Sequence, residues 1–258
     1  MSQAFHERVR AGERVHGCYA FLPSPGAVEV LGRSGMDFVI IDQEHSRKDW
    51  SVVEDMVRAA DASGMAALVR VAWNDEKEIL HALETGVAGI VLPFVESADD
   101  VRRATSAMRY APEGTRGTCT QTRAAGYGAR RGDFVDEARR HNRELLLFGQ
   151  IESRKGLEAI EDIVAADPGL DVVLVGRSDL ASDLGKPGQV ADPDVQAASA
   201  RIVQACKAAG KAAAMAHYDA SECPAWMAAG RSVFALASET GFLMRRLQEF
   251  RDEVDRLA

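Results

Sequence analysis

Leu145-Leu146-Leu147-Phe148-Gly149-Gln150-Ile151-Glu152, a helical stretch, and then Val172-Val173-Leu174-Val175-Gly176-Arg177-Ser178-Asp179-Leu180 read as one β/α/β unit. Each apolar run is short and almost uninterrupted, as expected of a strand buried on both faces of a parallel sheet. Parallel neighbours end on the same side, so Glu152 and Asp179, each just past its strand, should converge at the carboxyl ends. Open α/β sheets and α/β barrels place their chemistry there. Two hard oxygen ligands with no Cys or His between them suit a Mg²⁺- or Mn²⁺-like ion that keeps positions for water and substrate. The plainer alternative is a pair of rim carboxylates in salt bridges.

The same beat runs along the chain. Candidate strands are His16–Phe21, Phe38–Ile41, Ala67–Val71, Gly89–Leu92, Leu145–Gln150, Val172–Val175, Ala212–Ala216 and Val233–Leu236. Amphipathic segments such as Trp50–Ser63, Glu76–Thr85, Ala98–Arg109, Lys155–Ala166, Val195–Ala209 and Ser221–Ala229 alternate with them, several ending at a C-cap glycine (Gly64, Gly86, Gly210, Gly230). About eight such units favour a closed (β/α)₈ TIM barrel over an open sheet, because closure leaves no edge strand. The 258 residues fit one barrel domain spanning 1–258. The irregular stretch Ala111–Asp133, rich in Gly and Arg, exceeds ordinary loop length and reads as an active-site or interface loop, or as a misread segment.

Composition narrows the function. A formal charge of −8 and a pI near 5.3 argue against nucleic acid or an anionic membrane as the main partner. No apolar stretch approaches the roughly 20 residues needed to span a bilayer, and the polar start Met1–Arg8 lacks a signal-peptide core. Cys18, Cys119, Cys206 and Cys223 lie far apart and read as reduced thiols, which places the protein in the cytoplasm.

Other polar residues fall at the same carboxyl rim. Asp42 and His45 follow the strand Phe38–Ile41; a His three residues beyond an Asp can pair with it, fixing the tautomer and leaving the other ring nitrogen for proton transfer, or the pair can be a capped loop with a surface histidine. Arg70, closing an apolar strand, can aim its guanidinium into the mouth to hold a carboxylate or enolate, or can be an ordinary rim arginine paired with an acid. Strand alternation puts Gln150 and Glu152 on the inward face together. Ser178 or Asp179 can begin a short helix through Asp179–Leu184 whose free N–H groups suit a substrate carboxylate. His217 could reach the mouth, whereas His81 reads as a helix-surface residue and Trp73-Asn74-Asp75 as a loop into a capped helix. Nucleophile-elbow, phosphate-loop and dinucleotide motifs are absent in a convincing context. No strand end carries a Schiff-base lysine, and Lys211 sits at a strand start.

Six ordered motifs, from about Gly17 to Phe242, then resemble the metal-dependent (class II) pyruvate aldolases of the 4-hydroxy-2-oxoheptanedioate and 2-dehydro-3-deoxyglucarate aldolase family. They are Asp37–His45, Leu68–Asp75, Ala88–Pro93, Arg109–Gly117, Gln150–Glu152 and Gly176–Leu180. The resemblance implies a barrel of the phosphoenolpyruvate/pyruvate type, in a homohexamer built as a dimer of trimers with an exchanged C-terminal helix. It implies that Glu152 and Asp179 hold a divalent ion (Mg²⁺, Mn²⁺ or Co²⁺) chelated by a 2-oxo acid. Arg70 then stabilises the enolate, Gln150 bonds near the oxo acid, and His45, oriented by Asp42, moves protons, through water. The implied reaction is reversible aldol cleavage of a 4-hydroxy-2-oxo acid to pyruvate and an aldehyde.

Three departures stand out. Gln43 occupies a family Gly position, Arg177 a Pro position, and Glu84 an Asp position. They leave the metal and enolate machinery intact but open the identity of the second substrate. An inward Arg177 would favour an acidic acceptor; an outward one would not. They also sustain a second reading, a citrate-synthase-like condensing enzyme joining oxaloacetate to a thioester or other carbonyl acceptor. A third reading is a catalytically silent barrel, which the presence of Glu152 and Asp179 disfavours.

Overall fold

The computed structural model of the chain describes residues 4–129, 131–217 and 219–257. Eight parallel strands close on themselves in chain order: β1 (Val15–Ala20), β2 (Phe38–Asp42), β3 (Ala66–Arg70), β4 (Gly89–Leu92), β5 (Leu146–Ile151), β6 (Val172–Val175), β7 (Ala212–His217) and β8 (Val233–Ser238). The helices are α1 (Phe5–Arg10), α2 (Pro25–Arg33), α3 (Trp50–Ala62), α4 (Glu76–Glu84), α5 (Ala98–Met108), α6 (Phe134–Glu144), α7 (Arg154–Glu158), α8 (Ile160–Ala165), α9 (Arg177–Asp183), α10 (Pro193–Ala208), α11 (Cys223–Ala228) and α12 (Glu239–Asp255). This is the (β/α)₈ barrel that the strand rhythm predicts, with strand limits shifted by at most two residues. The stretch expected as one helix over Lys155–Ala166 is broken at Ala159 into α7 and α8.

Strand alternation divides the apolar residues into two cores. Val15, Tyr19, Phe38, Ile40, Leu68, Leu146, Phe148, Val172 and Leu174 fill the barrel, while Val39, Ile41, Val69, Leu147 and Val173 pack outward on the helices. Gly17 is required by this filling, since a Cβ there would lie 2.2 Å from the Phe38 ring. The inward series continues past each strand: Phe38, Ile40 and then Asp42; Leu68 and Arg70; Phe148, Gln150 and Glu152. Three strands therefore deliver their polar residues to the same end of the barrel.

Local signals act as the sequence implies. Asp75 accepts the N–H groups of Lys77 and Glu78 at 2.8 and 3.1 Å and caps α4. Gly64, Gly86, Gly210 and Gly230 all take positive φ just past helix ends. The segment 111–133 proves to be irregular, with short 3₁₀ turns at Gly126–Gly128 and Arg131–Asp133, and leads into α6. It is not an active-site loop of its own barrel. Arg116 bonds Glu84 at 3.0 Å and Ala124 donates to the Glu84 carbonyl, tying the segment to the end of α4 beside the strands' amino ends. Glu84 thus lies at the barrel foot, away from the mouth. All four cysteines are free. Among the described residues no helix is long and apolar enough to cross a membrane.

Candidate active site

The neighbouring ends of β2 and β3 set the first part of the site. Asp42 and Arg70 are register partners on these strands, so their inward side chains meet: Arg70 Nε donates to Asp42 Oδ1 at 2.6 Å. Arg70 Nη1 lies 2.9 Å from Glu44 Oε2, and the guanidinium rests 5.1 Å from the centroid of the Tyr19 ring. Asp42 is fully buried and Arg70 nearly so. Burial works against the arginine's charge, but Tyr19, Asp42 and Glu44 outweigh it and hold its pKa above the ordinary value. Arg70 is therefore a permanent cation fixed from three sides, a preorganised partner for a developing anion.

Asp42 does not orient the His45 ring as the spacing suggests. Its two oxygens accept the backbone N–H groups of Glu44 (3.2 Å) and His45 (3.1 Å), so the carboxylate shapes the turn that carries the histidine. The His45 imidazole is half exposed at the mouth, and its nearest carboxylate is Glu44, 3.7 Å from Nε2. Gln43 is turned away into the same loop, donating to the Lys48 carbonyl at 2.9 Å.

On the opposite wall Glu152 is completely buried. Its Oε1 accepts the N–H of Phe94 at 2.8 Å, and its Oε2 accepts from Gln150 Nε2. Phe94 provides that N–H from a positive-φ backbone (46°), a conformation uncommon outside glycine, which aims the donor inward while the ring stays exposed. Burial above all, and then the charges of Glu44 and Asp179, push the Glu152 carboxyl up to about 8, although the Phe94 and Gln150 bonds oppose this. Burial likewise raises the Glu44 carboxyl, against the pull of Arg70.

Glu44 and Asp179 thus add to the cost of charging Glu152, Asp179 adds to that of charging Glu44, and among the described residues Gln150 Oε1 is buried without a hydrogen-bond partner. An oxygen-rich, mutually repelling set of this kind fits a hard divalent cation. Gly176 leaves the room, because a Cβ there would come within 2.5 Å of Glu152 Oε2. Among the described residues no three His, Cys, Asp or Glu side chains group as a metal site by themselves, so an ion here would have to draw further ligands from water or substrate.

His45, Arg70, Gln150, Ser178 and Asp179 line one cavity of about 150 Å³, with Glu152 behind Gln150. Helix α9 begins at Arg177, earlier than expected, with Gly176 as its N-cap and no side-chain cap. Tyr19 and Phe21, stacked at 6.0 Å, form a further wall that sequence reasoning passed over. The alternation that placed Gln150 inward would have flagged both. Arg177 lines the mouth, but its guanidinium is held by Glu222 at 2.9 and 3.0 Å and by the Ala216 carbonyl at 2.7 Å, which leaves no free charge for an acidic acceptor. The side chain of His217 lies outside the described residues.

The profile of the HpcH/HpaI aldolase/citrate lyase family matches residues 16–245. A hydroxypyruvate/pyruvate aldolase of Paraburkholderia phytofirmans is 36% identical over 253 residues, covering 96% of this chain and 95% of that protein. Among solved structures, an HpcH/HpaI aldolase/citrate lyase family protein from Burkholderia cenocepacia superposes with a TM-score of 0.92 at 31% identity, covering 98% and 100% of the two chains. The citrate synthase SbnG superposes with a TM-score of 0.89 at 28% identity, covering 98% of each.

Proposed function

The chain belongs to the HpcH/HpaI aldolase/citrate lyase family and is a carbon–carbon lyase; from that premise we propose that it cleaves a 4-hydroxy-2-oxo acid reversibly to pyruvate and an aldehyde. The observation that carries this reading is the meeting of a fixed cation, Arg70, and a carboxyl-oxygen cluster around Glu152 and Asp179 at one mouth. A divalent ion (Mg²⁺, Mn²⁺ or Co²⁺) held by Glu152 and Asp179 would supply electrophilic polarisation of the keto oxygen.

Breaking the bond beside a ketone leaves negative charge on the pyruvate fragment. Arg70 faces that charge from a position in which it needs no reorganisation. Gln150, immobilised by its bond to Glu152, and Ser178, on the cavity wall, orient the oxo acid. His45, the half-exposed imidazole of the mouth, takes the proton from the C4 hydroxyl as the C3–C4 bond breaks and delivers a proton to C3 of the pyruvate fragment, directly or through water, and the reverse reaction runs the same transfers backwards. Asp42 acts through the turn, setting where the His45 backbone stands, and through Arg70.

The working unit is a cytoplasmic homo-oligomer, a hexamer formed as a dimer of trimers. Helix α12 supports this: Leu243, Leu247, Phe250 and Val254 form a stripe at helical spacing and are each at least half exposed, apolar area that a monomer would leave in water.

Exchange of the C3 protons of pyruvate with deuterium, with Mn²⁺, Mg²⁺ or Co²⁺ and with chelator, tests the core of the proposal. Exchange should need the ion, and its absence with every ion would favour a silent barrel. The likeness to citrate synthase SbnG supports the second reading, a condensing enzyme joining oxaloacetate to a thioester. Release of pyruvate from a panel of 4-hydroxy-2-oxo acids separates the two: no release from any member defeats the aldolase assignment.

A further inference from the structure

Arg177 is the one residue, among those described, that lines both the mouth and a second cavity. The latter measures about 340 Å³ between α10 and α11 and is walled by Val203, Met215, Ala225 and Trp226. The Arg177 side chain is buried and bridges the ends of two neighbouring strand–helix units. It springs from the first residue of α9 after β6, bonds the Ala216 carbonyl on β7 at 2.7 Å, and forks onto Glu222, just before α11, at 2.9 and 3.0 Å. Ala216 lines the mouth, and Glu222 lines the second cavity. A fork fixed at three points is a rigid partition.

We propose that Arg177 determines acceptor specificity: it walls the mouth off from the second cavity and restricts the aldehyde to short, oxygen-bearing molecules. This rests on the aldolase reading. The mouth is the smaller of the two spaces, about 150 Å³ against about 340 Å³ behind the partition. A three-carbon oxo acid takes up much of the mouth, and a two- or three-carbon aldehyde takes the rest. The partition also leaves Arg177 Nε buried without an acceptor among the described residues, so the wall stays polar toward whatever packs against it. An alkyl chain meets the guanidinium plane, while apolar space lies unused behind it.

The test uses the full chain loaded with Mn²⁺ and pyruvate, with kcat/KM measured for glycolaldehyde, butanal and hexanal. The wild type should prefer glycolaldehyde to hexanal by tenfold or more. Arg177→Ala opens the partition. Each methylene entering apolar space is worth about fourfold, so the hexanal-to-glycolaldehyde ratio should rise by at least tenfold. Arg177→Met, which refills the wall without the N–H, should keep hexanal excluded. An unchanged ratio in Arg177→Ala, with pyruvate C3 exchange intact, overturns the proposal. So does a wild type that accepts hexanal as readily as glycolaldehyde, a result that needs no variant. Absence of C3 exchange in the wild type is a different failure, and it takes down the aldolase reading itself.

Discussion

Gly176→Ala isolates the contribution of Glu152's position. Gly176 has φ −88°, which alanine adopts freely, so the substitution carries no backbone penalty of the positive-φ kind. The added Cβ would lie 2.5 Å from Glu152 Oε2, 2.7 Å from Glu152 Cβ and 2.9 Å from Gln150 Nε2. Ordinary contact begins near 3.4 Å, so the carboxylate must retreat by about 0.9 Å. It cannot simply swing aside, because Phe94 N–H holds Oε1 and no solvent space adjoins a fully buried side chain. Overpacking of this kind costs about 1–3 kcal/mol of stability. A displacement near 1 Å in a catalytic group costs about 10²-fold in rate. Deuterium exchange at C3 of pyruvate, followed by NMR at saturating Mn²⁺, reads the rate, and urea unfolding reads the stability. Gly26→Ala, whose Cβ meets nothing closer than Ser24 Oγ at 3.9 Å, is the control and should match the wild type in exchange rate. Exchange within about threefold of wild type in a folded Gly176→Ala protein would refute the placement of Glu152 at the reacting centre.

Other outcomes follow from the same geometry. Arg70→Lys keeps a charge but loses the fork that spans Asp42 and Glu44, and kcat should fall about 10²–10³-fold; Arg70→Met strands two buried carboxylates and should cost about 3–5 kcal/mol in chemical denaturation. At the barrel foot, burial and then Arg116 and Arg140 push the His141 imidazole down to about 4. The unfolded chain therefore binds a proton near pH 6.5 that the native state refuses, so the His141 contribution to stability should be flat above about 6.5 and fall as pH drops toward 4. His141→Gln should reduce that slope in urea titrations at several pH values, and an unchanged slope would clear His141 of the role. The double substitution Leu247→Glu with Phe250→Glu, on the exposed stripe of α12, should shift the light-scattering mass from an assembly to smaller species; a monomeric wild type would count against the oligomer.

Continuous apolar runs, glycine stops and the residues just past each strand were enough to anticipate the closed barrel and to name His45, Arg70, Gln150, Glu152 and Asp179 as neighbours at one rim. The reason is physical: alternation along a strand is local, and parallel neighbours must end together, so Phe148, Gln150 and Glu152 declare their direction without knowledge of distant contacts. Partnerships between side chains are not local in that way. Asp42 at 2.6 Å from Arg70 Nε, and not at the His45 ring, reflects the register of β2 on β3. Glu222 neutralising Arg177, forty-five residues away, and Glu84 gripping Arg116 at the foot depend on where helices return to the barrel. The N–H of Phe94 on Glu152 depends on a left-handed backbone that no propensity for phenylalanine announces. One-dimensional pattern thus determined which groups reach the mouth; only closure of the sheet decided which of them hold each other, because hydrogen-bond partners are chosen by ångström-scale distance across the fold and not by separation along the chain.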